Sequence, residues 1–349
     1  MKEYFTLDDV LIEPKYSRVA SRKDVDLSTN LHTDHTKLRL PVVSSNMDTV
    51  TGLDMVKVMV DSGGAACLHR FKTIEESITE YKEVAHLNPW VSVGIGPEEL
   101  NRAKELKNLG ASVFVLDVAH GATESVAKSL ADLTNELGTD SEFVVGNFAT
   151  GNSINVFLQA FEYLDGNLSN VKLSFKLGIG NGSACTTRLK TGVGVPQLSA
   201  IKEIKTRFPS FKLIADGGCK TPGDVAKCLA AGASMVMLGG MLAGTEESPG
   251  KVVALQSGKL VKRYRGSASM ESYEVQNKVS PGIRAAEGEA FYVPYKGPAK
   301  LILNDIEGGL RSAFSYVGAR NLNEFQKNAE FIRVSTNTLL ENKAHGKTE

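Results

Sequence analysis

Eight short apolar runs rich in β-branched residues, each ending in glycine or a polar side chain, predict an α/β protein built as a (β/α)8 TIM barrel. Two further observations point the same way. The first four runs begin at residues 41, 65, 90 and 113, one strand plus one helix apart, and the segments between them carry helix signals. Polar and charged side chains also collect at the C-terminal ends of the runs, where a parallel barrel gathers its loops. A doubly wound open sheet is the competing architecture, because it too places ligands at strand C-termini.

The runs fall at 41–47, 65–71, 90–94, 113–119, 143–148, 173–180, 212–218 and 235–240. They end in, or just beyond, Asn46, His69 and Arg70, Gly94, Asp117, Asn147, the glycines from Gly178, Asp216 with Gly217 and Gly218, and the pair Gly239 and Gly240. Between them, 97–110 has proline at its first position, Glu98 and Glu99 in its first turn and Gly110 at its end, the asymmetry of a helix. The stretch 221–232 reads likewise, from Thr221 and Pro222 to Gly232. Beyond the eighth run the pattern weakens. Residues 264–281 are polar and poorly periodic, as in a lid or binding loop. Residues 308–320 look ordered, and 337–349 read as a polar, disordered tail. The expected organisation is one barrel domain over 1–336, with a mobile flap at about 264–292 and a C-terminal extension.

Composition narrows the partners. The 349 residues are 42% hydrophobic and carry 40 Lys and Arg against 40 Asp and Glu, so net charge gives no footprint for nucleic acid or an anionic membrane. The opening residues place acids where a signal peptide has its apolar segment, and no stretch reaches the length of a membrane span. A cytoplasmic protein acting on a small molecule is expected. Cysteines 67, 185, 219 and 228 show no CxxC pair or zinc-like spacing, so reduced thiols without a structural metal site are expected.

One cysteine stands apart. Cys185 lies in Gly178-Ile179-Gly180-Asn181-Gly182-Ser183-Ala184-Cys185-Thr186-Thr187-Arg188, with no apolar run around it to pack against. Glycines let backbone approach a ligand closely, and Thr187 and Arg188 can hydrogen-bond a thiol or lower its pKa. A nucleophile is expected there rather than a core side chain. A dinucleotide-binding turn does not fit, since the spacing is not GxGxxG and no apolar helix face follows.

These residues resemble the family of IMP dehydrogenases and GMP reductases. The resemblance runs from about residue 5 to 336. It is carried by 178–197 and by Asn46-Met47-Asp48-Thr49-Val50, Asp216-Gly217-Gly218, Leu238-Gly239-Gly240-Met241 and Val293-Pro294-Tyr295-Lys296-Gly297. Features of both branches occur. Residues 68–70, 243–250 and 264–266 resemble the dehydrogenases; Asn46, 190–199, Gly240 and 284–288 resemble the reductases. The resemblance implies that a dehydrogenase activates water with an Arg-Tyr pair in its flap. None falls within 264–292: Tyr273, near the expected position, follows Ser272. The CBS module that interrupts many dehydrogenase barrels has no room between Phe71 and Trp90. The expected activity is therefore NADPH-dependent conversion of GMP to IMP and ammonia, with an IMP dehydrogenase lacking the CBS module as the alternative.

The resemblance also implies roles. Cys185 attacks C2 of the purine, while Thr187 and Glu287 protonate the departing amine. Asp216 accepts the ribose hydroxyls, and Ser183, Gly217, Gly218, Gly239 and Gly240 surround the phosphate. Met47, Gly266, Ser267, Arg284 and Gly288 complete the substrate site. Arg70, Asp117, Val118, Ala119 and Arg284 are the cofactor-binding candidates, and carbonyls of Gly180, Gly182 and Cys185 hold a monovalent cation, K+. Asn181 stands where the family usually has proline. A homotetramer is implied.

Overall fold

The computed structural model describes residues 1–275, 286–335 and 337–342. All eight expected runs contain strands: β1 (Val42–Ser44), β2 (Ala65–Leu68), β3 (Trp90–Val93), β4 (Val113–Asp117), β5 (Glu142–Phe148), β6 (Lys172–Leu177), β7 (Lys212–Asp216) and β8 (Met235–Leu238). Each pairs in parallel with the next, and β1 closes on β8 through Val42↔Val236 and Ser44↔Leu238. The barrel is closed, which settles the architecture against an open sheet.

Strand periodicity divides the apolar residues between two cores. Val43, Cys67, Val113, Val115, Val144, Ile214 and Met235 fill the barrel interior, while Val42, Phe114, Val145, Leu213 and Val236 pack under the helices. Burying each large side chain contributes about 1.5–3 kcal/mol. Strand β6 breaks the pattern. Its outward positions Leu173, Phe175 and Leu177 join the outer core, but its inward positions are the buried Ser174 and Lys176.

The outer helices start where the sequence supplies caps. Thr73 accepts from the Glu76 N–H at 3.1 Å ahead of the helix Ile74–Val84, and Thr221 accepts from Asp224 N–H at 3.2 Å ahead of Pro222–Ala230. Pro97–Asn108 occupies the stretch expected from its proline and acids.

The foot of the barrel is plugged by the segment around the bridge Thr29↔Leu38, whose Leu31 and Leu38 join the inner core. Glu142, at the start of β5 and 2% exposed, accepts from the backbone N–H of His32 at 3.0 Å and from the hydroxyls of Thr33 and Thr36. The His32 ring meets Leu173 O and Ser174 Oγ, each at 3.0 Å.

Above the mouth, Val253–Ala254, Leu260–Arg265 and Ala290–Pro294 form a three-stranded antiparallel sheet. The stretch expected to be irregular from 264 therefore begins inside a strand and continues into a short helix, Met270–Val275. Cross-strand packing supplies the order that periodicity did not show: Tyr264 is buried edge-on to Phe291 at 5.5 Å, and Arg265 pairs with Asp48 and Glu271. The remainder of that stretch, 276–281, lies outside the described residues.

The ordered segment expected near 308 belongs to the helix Ala299–Tyr316. Val10–Ile12 pairs antiparallel with Phe331–Arg333, tying the two ends of the chain together. A four-residue helix, Thr338–Glu341, occupies part of the tail expected to be without structure. Among the described residues no helix is long and apolar enough to cross a membrane.

Candidate active site

The loop after β6 turns over the barrel mouth through Gly178, a position that nothing larger could fill. A Cβ on Gly178, whose φ is +146°, would lie 2.0 Å from Asp216 O. Cys185 N–H donates to Gly182 O at 3.0 Å, closing the turn that presents the thiol. Cys185 Sγ lies 3.2 Å from Thr187 Oγ1, and that hydroxyl donates to Glu287 Oε2 at 2.8 Å. A thiol proton thus has a path through one hydroxyl to one carboxylate.

Glu287 is 102 residues beyond Cys185, and backbone pairing brings it back. Thr186 N–H donates to Glu287 O at 2.7 Å, Glu289 N–H donates to Ala184 O at 2.9 Å, and Cys185 bridges to Gly288.

Two adjoining cavities open here, of about 320 and 430 Å³. Ser183, Gly218, Gly239 and Gly240 line the first; Met47, Asp216, Gly217, Gly180 and Gly182 border both. The second takes Cys185, Thr187, Glu287, Gly266, Ser267 and Gly288, together with Arg70, Asp117, Val118 and Ala119. Every candidate residue within the described chain therefore borders one continuous mouth. Arg284 lies outside the described residues. Close approach accounts for the second glycine after β8: a Cβ on Gly240 would sit 2.6 Å from Ser183 Oγ.

Sequence reasoning missed the buried ion cluster beneath these cavities. Lys176 Nζ lies 2.8 Å from Asp117 Oδ1 and 2.7 Å from Asp216 Oδ2, and it donates to Asn147 Oδ1. Asn147 Nδ2 donates to Gly178 O at 2.7 Å and Asp216 Oδ2 at 3.0 Å. Burial pushes the Lys176 ammonium toward neutrality, but the two carboxylates outweigh it and raise its pKa. Burial likewise pushes Asp117 up, and its polar surroundings, Lys176 foremost and Arg70 after it, more than reverse the effect, holding Asp117 below its ordinary value. A lysine at an inward position of an apolar strand was the available signal.

Two aromatic residues were also missed as site residues. Tyr264 OH lies 3.1 Å from Ser183 Oγ and 3.8 Å from Met47 Sδ, at the seam of the two cavities. Burial raises its pKa, so it stays a neutral phenol. Phe71 lines the second cavity beneath the Arg70 guanidinium, which sits 5.3 Å from its ring centroid. Arg70 Nη2 also reaches Asp117 O at 3.4 Å.

The fold and site define a closed (β/α)8 barrel with a nucleophile-like thiol and a carboxylate–ammonium cluster at its mouth. The comparisons with known proteins give this a family. Residues 4–345 match the model described as IMP dehydrogenase / GMP reductase domain, and the chain belongs to that family. It is 38% identical to GMP reductase of Phytophthora infestans over 94% of this chain and 90% of that one, and 36% identical to human GMP reductase 2 over 94% and 93%. Its backbone superposes with a TM-score of 0.89 and 27% identity on GMP reductase of Trypanosoma brucei, solved in complex with guanosine 5'-monophosphate, covering 100% of this chain and 99% of that one.

Proposed function

We propose that this protein is a GMP reductase, converting GMP and NADPH to IMP, NADP and ammonia through a covalent Cys185 adduct. The observation that carries the reading is the relay from Cys185 through Thr187 to Glu287, set beside two adjoining cavities of about 320 and 430 Å³.

The chain's own residues perform the chemistry as follows. The Cys185 sulfur attacks purine C2, giving its proton to the Thr187–Glu287 pair. That pair returns a proton to the exocyclic nitrogen, which leaves as ammonia while sulfur remains bonded to C2. Hydride addition to C2 then expels the thiolate and yields IMP. The carboxylate of Asp216, fixed by Lys176 and Asn147, accepts the ribose hydroxyls. Backbone amides at Gly217, Gly218, Gly239 and Gly240, with Ser183, surround the phosphate as a neutral nest. Met47 packs on the base, and Gly266, Ser267, Gly288 and Arg284 complete the nucleotide site.

A nicotinamide dinucleotide supplies the hydride when bound. The second cavity fits it: Asp117, Val118 and Ala119 offer a wall for the nicotinamide, and Arg70, whose buried Nε has no hydrogen-bond partner, offers a cation. Arg284 would serve the same ligand. Carbonyls of Gly180, Gly182 and Cys185 would hold a potassium ion. Neutral carbonyl oxygens suit that ion, and Gly182 O retains a lone pair after accepting the Cys185 N–H. Bound there, the ion would stiffen the loop. We place the protein in the cytoplasm as a homotetramer, one barrel over 1–336.

Mixing the protein with GMP and NADPH tests the reading. Equal losses of NADPH absorbance and gains of ammonia are expected. NADPH loss without ammonia, or faster turnover of IMP with NAD, would overturn it.

A further inference from the structure

Asn181 sits in the cysteine loop four residues before Cys185, and its side-chain amide is tied at both ends. Arg188 Nη2 donates to Asn181 Oδ1 and also to Val195 O at 2.7 Å. Asn181 Nδ2 donates to Gln197 Oε1. Gln197, only 3% exposed, donates from Nε2 to Leu177 O at 2.8 Å and to Asp216 O at 3.3 Å. The chain of bonds has one possible direction. A guanidinium can only donate and a backbone carbonyl can only accept, so both amides between them have their orientations fixed. It begins on the far side of the loop and ends on the carbonyls of Leu177 in β6 and Asp216 in β7.

Space has been left for this strut. A Cβ on Gly180 would lie 2.5 Å from Arg188 Cγ, and one on Gly194 would lie 2.6 Å from the same atom. The strut spans the loop that must hold Cys185 Sγ at 3.2 Å from Thr187 Oγ1.

We propose that Asn181 is a positioning residue for Cys185, locking the loop to the ends of β6 and β7 through Gln197. The proposal rests on the reading of Cys185 as the nucleophile of a GMP reductase, and its test separates the two. On the whole chain, Cys185 alkylation by iodoacetamide is followed across pH without nucleotide, and kcat and KM for GMP are measured in parallel.

Asn181→Ala and Gln197→Leu should each lower kcat about tenfold, change KM for GMP by less than about threefold, and slow alkylation at neutral pH by a similar factor to kcat. Asn181→Asp keeps the size and the Arg188 contact but sets an acceptor against Gln197 Oε1. It should lose as much as alanine, and it carries the test if the alanine variant does not fold. The double variant Asn181→Ala/Gln197→Leu should be no worse than either single one, because both cut the same chain. Folded variants with kcat and alkylation within twofold of wild type overturn the proposal. So does a raised KM with both rates unchanged, which would make Asn181 only a wall of the nucleotide pocket. If wild type alkylates at Cys185 yet does not turn over GMP with NADPH, the functional reading fails and the alkylation arm alone decides the strut.

Discussion

The two ends of the barrel both bury charge, and they satisfy it differently. At the foot, Glu142 is met by His32, Thr33 and Thr36, and the His32 ring in turn meets Ser174 and Leu173. At the mouth, Lys176 holds Asp117 and Asp216, yet Asn46 Nδ2, Arg70 Nε and Thr186 Oγ1 are buried nearby without a hydrogen-bond partner. Among the described residues the one other buried side-chain atom in that condition is Tyr81 OH. A saturated polar cluster specifies structure, whereas spare donors beside a cavity leave capacity for a ligand. Substitutions at the mouth should therefore damage turnover or ligand binding, and those at the foot only stability.

The largest expected effect is at the thiol. Cys185→Ala should lower kcat by about 10⁴-fold or more while calorimetry still detects GMP binding; an unchanged rate would remove the covalent mechanism. Next comes Lys176→Met, which strands two carboxylates in the barrel. Denaturant unfolding should show about 3–5 kcal/mol of lost stability, more than any single change at the foot. Glu287→Gln should lower kcat about 10²-fold with little effect on unfolding, since it removes the proton acceptor but keeps the shape. The foot supplies the contrast: Glu142→Gln should cost about 1–3 kcal/mol in unfolding while kcat stays within about twofold. A fall in kcat there would blur the division between the ends.

Just below pH 6.5 the smallest effect is a pH slope shared by both ends. His69, at the mouth, is held down to about 3 from 6.5 by burial, with Lys72, Arg265 and Arg102 adding to the effect; burial also lowers His32 at the foot. Both are neutral in the folded and unfolded chain above 6.5, so they cost nothing there. Below 6.5 the unfolded chain takes up protons that the folded one refuses, and stability is lost as pH falls toward about 3. His69→Asn should flatten that slope in pH-dependent thermal unfolding. A slope unchanged in the variant would assign the acid sensitivity elsewhere.

Much of this was legible in the chain itself. Eight apolar runs gave eight strands because a parallel strand buried on both faces must be apolar along its length. The cysteine loop stood out because its glycines and hydroxyls form no apolar run of the kind a core segment carries. The flap sheet was not legible: the partners of Leu260–Arg265 in Ala290–Pro294 are about 30 residues away, and a strand with mixed polar residues is recognisable only once paired. Lys176 escaped notice because its neighbours Phe175 and Leu177 are apolar, as a buried strand requires. Asn181, legible only as a departure from proline, gained its partner Gln197 from the fold.

The sequence by itself determined the barrel, the thiol and the family, because periodicity and local residue chemistry act over a few positions of chain. Tertiary structure alone decided which groups work together. Glu287 reaches Thr187 from 100 residues away, and Lys176 joins carboxylates on two other strands. Such pairings depend on barrel closure and strand register, which bring distant residues within hydrogen-bond range, and no local pattern encodes a distance of 3 Å between them.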